Sequence, residues 1–128
     1  MPGSEQDPTE LLPLTPAVFH ILLALAGQER HGYGIMQAVA HYTDGAVRLG
    51  PGTLYRSIKA MLANGLIVES DERPDPALDD ERRRYYRLTD WGRRVAQAEV
   101  ARLERLVSIA RSGPLPRATN AVTPAGGL

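Results

Sequence analysis

From Ala17 to Ala26 nearly every position is apolar, His20 being the polar exception, and Thr15-Pro16 ahead of this run supplies a capping hydroxyl followed by proline at the first helical position. The pattern predicts a helix buried on most sides and ended by Gly27. "HGYG" (31 to 34) opens a second helix with the apolar stripe Ile35, Val39 and Tyr42 and Met36 alongside, closed by Gly45. A short extended piece, Val47 to Leu49, leads to "GPGTLYRSIKAMLANGLI" (50 to 67), where a Gly-Pro-Gly turn precedes a third helix. Projected at about 100° per residue, Leu54, Ile58, Met61 and Leu62 share one arc, while Gly52, Arg56, Lys59 and Ala63 share the opposite one. Thr53 and Tyr55 flank that outer arc.

Asn64-Gly65 stops the third helix, and "LIVES" (66 to 70) and "RRYYRL" (83 to 88) read as two strands joined by a charged, proline-containing loop. Alternation sends one ring of the Tyr85-Tyr86 pair into the core and the other outward. Thr89 caps a final helix running to about Arg111. Its apolar arc is wide: Trp91, Val95, Ala98, Leu103, Leu106, Ile109 and Ala110, broadened by Ala96, Val100 and Val107. A helix that outruns a small core with so wide a stripe calls for a second copy of itself, so Val95, Ala98, Arg102, Leu103, Leu106, Ile109 and Ala110 are the expected dimer face. The expected organisation is therefore a mobile arm over 1–13, a three-helix-plus-hairpin domain over 14–88, a dimerisation helix over 89–111 and a disordered tail over 112–128.

Composition narrows the chemistry. With 128 residues there is room for one core, and the absence of cysteine removes disulfides and thiolate sites and fits a cytoplasmic setting. The apolar run at 16–26 is eleven residues long, against the roughly 20 of a membrane span. Neutral overall charge conceals segregation: residues 69–81 carry seven acidic groups and one basic, and residues 82–94 carry six arginines against Asp90. His20, His31 and His41 sit on different elements without nucleophile or ligand spacing, so neither catalysis nor a cofactor is expected. A His31/His41/Asp44 metal site is weighed and set aside.

The order helix, helix, helix, strand, loop, strand is that of a winged helix-turn-helix. The fold expected is mainly α, with three helices, a two- or three-stranded β-wing and a long C-terminal dimerisation helix. The third helix is then the reader of double-stranded DNA: Gly52 permits close approach, Arg56 suits guanine edges, and Tyr55 and Lys59 reach phosphates. The alternative is an ordinary solvated face, with the winged helix serving as a protein-interaction module. Arg82, Arg83 and Arg84 either follow the DNA backbone or minor groove, or neutralise the acidic run before them. Trp91 is a candidate lining for an aromatic effector or, alternatively, a packing anchor.

"LT" (14 to 15), "FHILLALA" (19 to 26), "HGYGIM" (31 to 36), "LGPGTLYRSIKAMLANGLI" (49 to 67), "DERRRYYRLTDWGRR" (80 to 94) and "AEVARLERL" (98 to 106), in this order and spacing, resemble the PadR family of bacterial transcriptional regulators. The resemblance spans about residues 14 to 111 and is closest to the smaller subgroup with a single C-terminal helix. It implies a homodimeric winged-helix repressor at a palindromic operator. Thr53, Tyr55, Arg56 and Lys59 fall on the family's recognition-helix face, Tyr33 on a backbone contact, and Arg82 to Arg84 on the wing. Members answer to diverse small molecules, and no effector-binding motif carries over to this chain. The acidic loop 71–81 departs from what a DNA-facing wing tip needs, so it is expected to point away from DNA or to pair with Arg82 to Arg84.

Overall fold

A computed structural model describes residues 6–70, 73–74, 82–113 and 115; at 73, 74 and 82 the description is of backbone alone. Its first α-helix, α1 (Pro16–Ala26), begins where Thr15 Oγ1 accepts the Val18 N–H at 3.1 Å. Ile21, Leu22, Ala24 and Leu25 are buried, as a nearly all-apolar helix requires. The strand β1 (Arg30–His31) turns directly into α2 (Gly32–Tyr42), and the His31 ring caps that helix by accepting the Gly34 N–H on Nδ1 at 3.0 Å. Helix α3 (Pro51–Ala63) buries Leu54, Ile58 and Met61. It differs from its neighbours in having Gly50 as N-cap, with no side chain bonded to its first amides.

Gly65, at φ +72°, turns the chain from α3 into β2 (Ile67–Glu69). β3 (Arg73–Pro74) and β4 (Arg82–Arg83) pair antiparallel as the outer part of the wing. β5 (Tyr85–Leu88) then runs between β1 and β2, giving a three-stranded antiparallel sheet in the order β1-β5-β2. The sequence expectation allowed a third strand without locating it, because Arg30 and His31 carry no strand pattern; pairing with Tyr85 and Tyr86 creates it. Residues 71–72 and 75–81, which hold most of the acidic loop, lie outside the described residues.

Helix α4 (Asp90–Ser112) is capped by Thr89 Oγ1, which accepts the Gly92 N–H at 2.9 Å while its own hydroxyl donates to the Gly65 and Leu66 carbonyls. Gly92 is buried against Leu66, and a β-carbon there would overlap the Leu66 carbonyl, so glycine sets how closely α4 approaches the start of β2. At about 1.5 Å per residue the 23 residues of α4 extend roughly 35 Å.

The core gathers Ile21, Leu22 and Leu25 of α1, Ile35 and Val39 of α2, Leu54, Ile58 and Met61 of α3, Leu66, Ile67 and Tyr86 of the hairpin, and Val95 of α4. Three expectations are corrected. The arm over 1–13 is not free of structure: residues 1–5 lie outside the described residues, but Pro8–Leu11 forms a 3-10 helix, Leu11 and Leu12 pack on the core, and the turn lies against α4. Four residues are too few to show periodicity. Val95, assigned to the dimer face, has no exposed surface and belongs to the protomer's own core. Tyr42, assigned to an apolar stripe, is exposed, and its hydroxyl donates to the His20 carbonyl at 2.9 Å and meets His20 Nδ1 at 3.1 Å. Of the expected tail, Ser112 ends α4, and all but Gly113 and Leu115 of the remainder lies outside the described residues.

Among the described residues, one charged side chain is buried. Glu99 of α4 is 2% exposed, and its carboxylate receives Arg102 Nε at 2.6 Å and Nη2 at 3.0 Å. It also accepts the Leu14 backbone N–H at 3.2 Å. The hydrogen bonds from Arg102, opposed by burial and aided by Leu14, hold the Glu99 carboxyl below the usual carboxylate range.

Candidate nucleic-acid interface

Burial of Leu54, Ile58 and Met61 dictates which side of α3 faces outward: Gly52, Thr53, Tyr55, Arg56 and Lys59 are all exposed. Arg56 Nη2 donates to Thr53 Oγ1 at 3.3 Å, one turn back, which lays the guanidinium toward the helix N-terminus. A β-carbon on Gly52 would meet Arg56 Nη1 at 3.4 Å, an ordinary contact distance, so the guanidinium lies directly over this turn. The uncapped first amides of α3 lie at the same end, a site of positive helix potential beside the guanidinium.

Tyr55 is placed by a residue on another helix. Its ring lies over the first turn of α2, where a β-carbon on Gly32 would overlap the Tyr55 hydroxyl. The phenol is still half exposed, and with His31, Tyr33, Arg83, Arg84 and Tyr86 it encloses a notch of about 400 Å³ between α2, α3 and the wing. Tyr86 is the inward ring of the tyrosine pair; burial, assisted by Glu69 and Tyr55, pushes its phenol up, so it stays neutral. Tyr85 stands edge-on to His31, ring centroids 5.2 Å apart.

Arg83 crosses this notch. Its guanidinium lies 5.6 Å from the Tyr33 ring centroid, and Nη1 donates to His31 Nδ1 at 3.2 Å. Since Nδ1 also accepts the Gly34 N–H, it is the unprotonated ring nitrogen in this arrangement. One imidazole thereby joins the cap of α2 to the wing. Arg84 donates to Glu69 at 3.2 Å, a solvent-exposed pair that contributes little to stability. Arg82 contributes its backbone to β4, and its side chain lies outside what is described.

The dimer candidates divide. Leu103, Leu106 and Ile109 are exposed on α4, together with Val100 and Val107. Ala98 and Ala110 are half-buried, Arg102 is held by Glu99, and Val95 is internal. Trp91 packs against the core; its ring edge faces Gly65, and the Arg94 guanidinium covers its face at 5.0 Å. Those contacts fit a packing anchor. Among the described residues no group of three or more His, Cys, Asp or Glu is placed to hold a metal ion. No described helix is long and apolar enough to cross a membrane.

Glu99 and Gly32 are residues of consequence that the sequence analysis did not mark, and His31, weighed there as a metal ligand and set aside, is the cap of α2. The His31 cap had a trace in the sequence, a polar residue immediately before a helix-opening glycine. The other two depend on contacts with distant parts of the chain.

The sequence matches the model of the "Transcriptional regulator PadR-like family" over residues 21–98. It is 36% identical over 87 residues to "Transcriptional regulator Rv3488" of Mycobacterium tuberculosis, a match covering 68% of this chain and 75% of that protein. Among solved structures, a transcriptional regulator from Clostridium thermocellum superposes with a TM-score of 0.64 at 23% identity, covering 75% of this chain and 90% of that one. A PadR family transcription regulator from Clostridium difficile R20291 gives 0.63 at 20% identity, covering 77% and 97%. At these identities the two structures support the winged-helix fold itself.

Proposed function

Because this chain belongs to the PadR-like family of transcriptional regulators, we propose that it acts as a homodimeric repressor, with the α3 helices of two protomers entering successive major grooves of an inverted-repeat operator. The observation that carries this reading is the outward face of α3, where Arg56 lies toward an uncapped helix N-terminus, Lys59 follows on the same exposed face, and Tyr55 lines the arginine-bearing notch of the wing. Arg56 reads a base edge, Lys59 and Tyr33 meet phosphates, Gly52 and Thr53 allow close approach, and Arg82, Arg83 and Arg84 engage the flanking backbone or minor groove. Dimerisation uses the exposed Val100, Leu103, Leu106, Val107 and Ile109 of α4. A cytoplasmic setting follows from that role, and release by a small-molecule effector fits it. No step of this role calls for catalysis.

The test is binding of the purified protein to its own promoter fragment and to a scrambled duplex at two salt concentrations. Sequence-preferring, salt-sensitive binding with two protomers per site is expected. Binding indifferent to sequence and salt would favour the protein-interaction module instead.

A further inference from the structure

Beside the notch, on its other flank, lies a second polar surface, of which only Tyr33 enters the function proposed above. Tyr33, Gln37 and His41 succeed one another at four-residue intervals on α2, so they form one row along its outer face, and all three are exposed. Arg48, in the segment leading into α3, stands against this row. Tyr33, Gln37, His41 and Arg48, with Met36 and Leu49, line a shallow depression of about 450 Å³ that has no acidic residue in its wall. Tyr33 lines both this depression and the notch holding Arg83, so the two surfaces are continuous across its ring.

Arg48 differs from the arginines held inside the protomer. Arg30 donates to the Ala24 carbonyl at 2.8 Å, Arg84 to Glu69 and Arg102 to Glu99. The Arg48 guanidinium has no hydrogen-bond or ion-pair partner among the described residues; it lies over Gly45, where a β-carbon would be 3.1 Å from Nη2. Asp44, the nearest acidic residue in sequence, forms no ion pair with it. A planar fork of N–H donors, a neighbouring amide, an imidazole and a phenol in one row form a surface suited to phosphate oxygens.

We infer that Tyr33, Gln37, His41 and Arg48 form a sugar-phosphate binding row for the DNA strand bordering the groove that α3 enters, on the flank of α2 away from the wing. This rests on the reading of α3 given above. The first helix of a helix-turn-helix crosses the backbone, and Leu49 joins this row to the N-terminal turn of α3. α3 is thus bracketed by backbone contacts on two sides, one from the wing notch and one from α2. The row fixes orientation on the duplex and carries no sequence information.

The experiment compares Arg48→Ala, Arg48→Lys and the double variant Gln37→Ala/His41→Ala with the parent protein on operator and unrelated duplexes, between about 50 and 200 mM salt. All three positions are exposed, and thermal melts check that folding is retained. Arg48→Ala is expected to weaken binding about 3- to 10-fold on both duplexes and to reduce the log-log salt slope by about 0.9. Arg48→Lys should keep the slope, and the double variant should weaken both complexes equally. Unchanged affinity and slope in Arg48→Ala would overturn the inference, as would a loss confined to discrimination at one base pair. Arg56→Ala, run in parallel, separates the two failures: if it impairs recognition while Arg48→Ala does nothing, only the row falls. If neither alters binding, the reading of α3 falls with it.

Discussion

The Tyr55 ring rests on Gly32, at a place where any other residue would put a carbon into the Tyr55 hydroxyl. Helix α3 and the first turn of α2 are thereby registered to each other by a missing side chain. Gly32→Ala should force the half-exposed ring outward and lower stability by about 1 kcal/mol, the low end of an overpacking cost, because the ring can move into solvent. The measurement is a urea unfolding curve for Gly32→Ala, Tyr55→Ala and the double variant. In the Tyr55→Ala background most of the glycine's effect should vanish.

Arg56 and Lys59 occupy the same exposed face but are assigned different roles. Arg56→Ala is expected to cost about 1 to 3 kcal/mol in operator binding and to relax preference at one position of the half-site. Lys59→Ala should weaken operator and scrambled DNA alike and make the salt dependence shallower. Binding titrations against an operator and its single-position variants distinguish the two patterns.

Val95 and Leu106 both belong to the apolar arc of α4, yet one is internal and the other half exposed. Leu106→Glu is expected to shift the protein toward monomers in sedimentation experiments with little change in protomer helicity, since the side chain lies outside the core. Val95→Ala is expected to leave assembly intact at low temperature and to reduce folding stability by about 1 to 3 kcal/mol, through lost packing and a residual cavity.

Glu99 gives stability a definite pH dependence. Its carboxyl titrates lower in the folded chain than in the unfolded one, because the charged form receives Arg102 and the Leu14 N–H. The contribution is therefore fully present above the ordinary carboxylate range and is lost as pH falls through the lowered folded value. Urea midpoints compared between neutral pH and the acid side of the carboxylate range should drop less in Glu99→Gln than in the parent. At neutral pH the variant should already be the weaker of the two.

The helices with side-chain or proline start signals were legible from sequence: Thr15-Pro16, Pro51 and Thr89 mark true starts, and the burial pattern of α3 follows its apolar spacing. So was the outer face of α3, because burying Leu54, Ile58 and Met61 leaves Arg56 and Lys59 no other direction. β1 was not legible, since two residues become a strand only through pairing with β5. Apolar spacing on α4 cannot distinguish a residue covered by its own protomer, such as Val95, from one left for a partner, such as Ile109. The seat of Tyr55 on Gly32 was equally hidden, because both residues look ordinary until α2 and α3 are packed together.

The bond between Leu14 and Glu99 also bears on how the chain is born. At about 5 to 20 residues per second, the 85 positions between them take a ribosome about 4 to 17 s to add. Throughout that interval the Leu14 amide lacks its carboxylate and the apolar Leu11 and Leu12 lack the helix against which their turn will lie. A nascent chain halted before position 99 holds α3 and the hairpin but cannot close this seam.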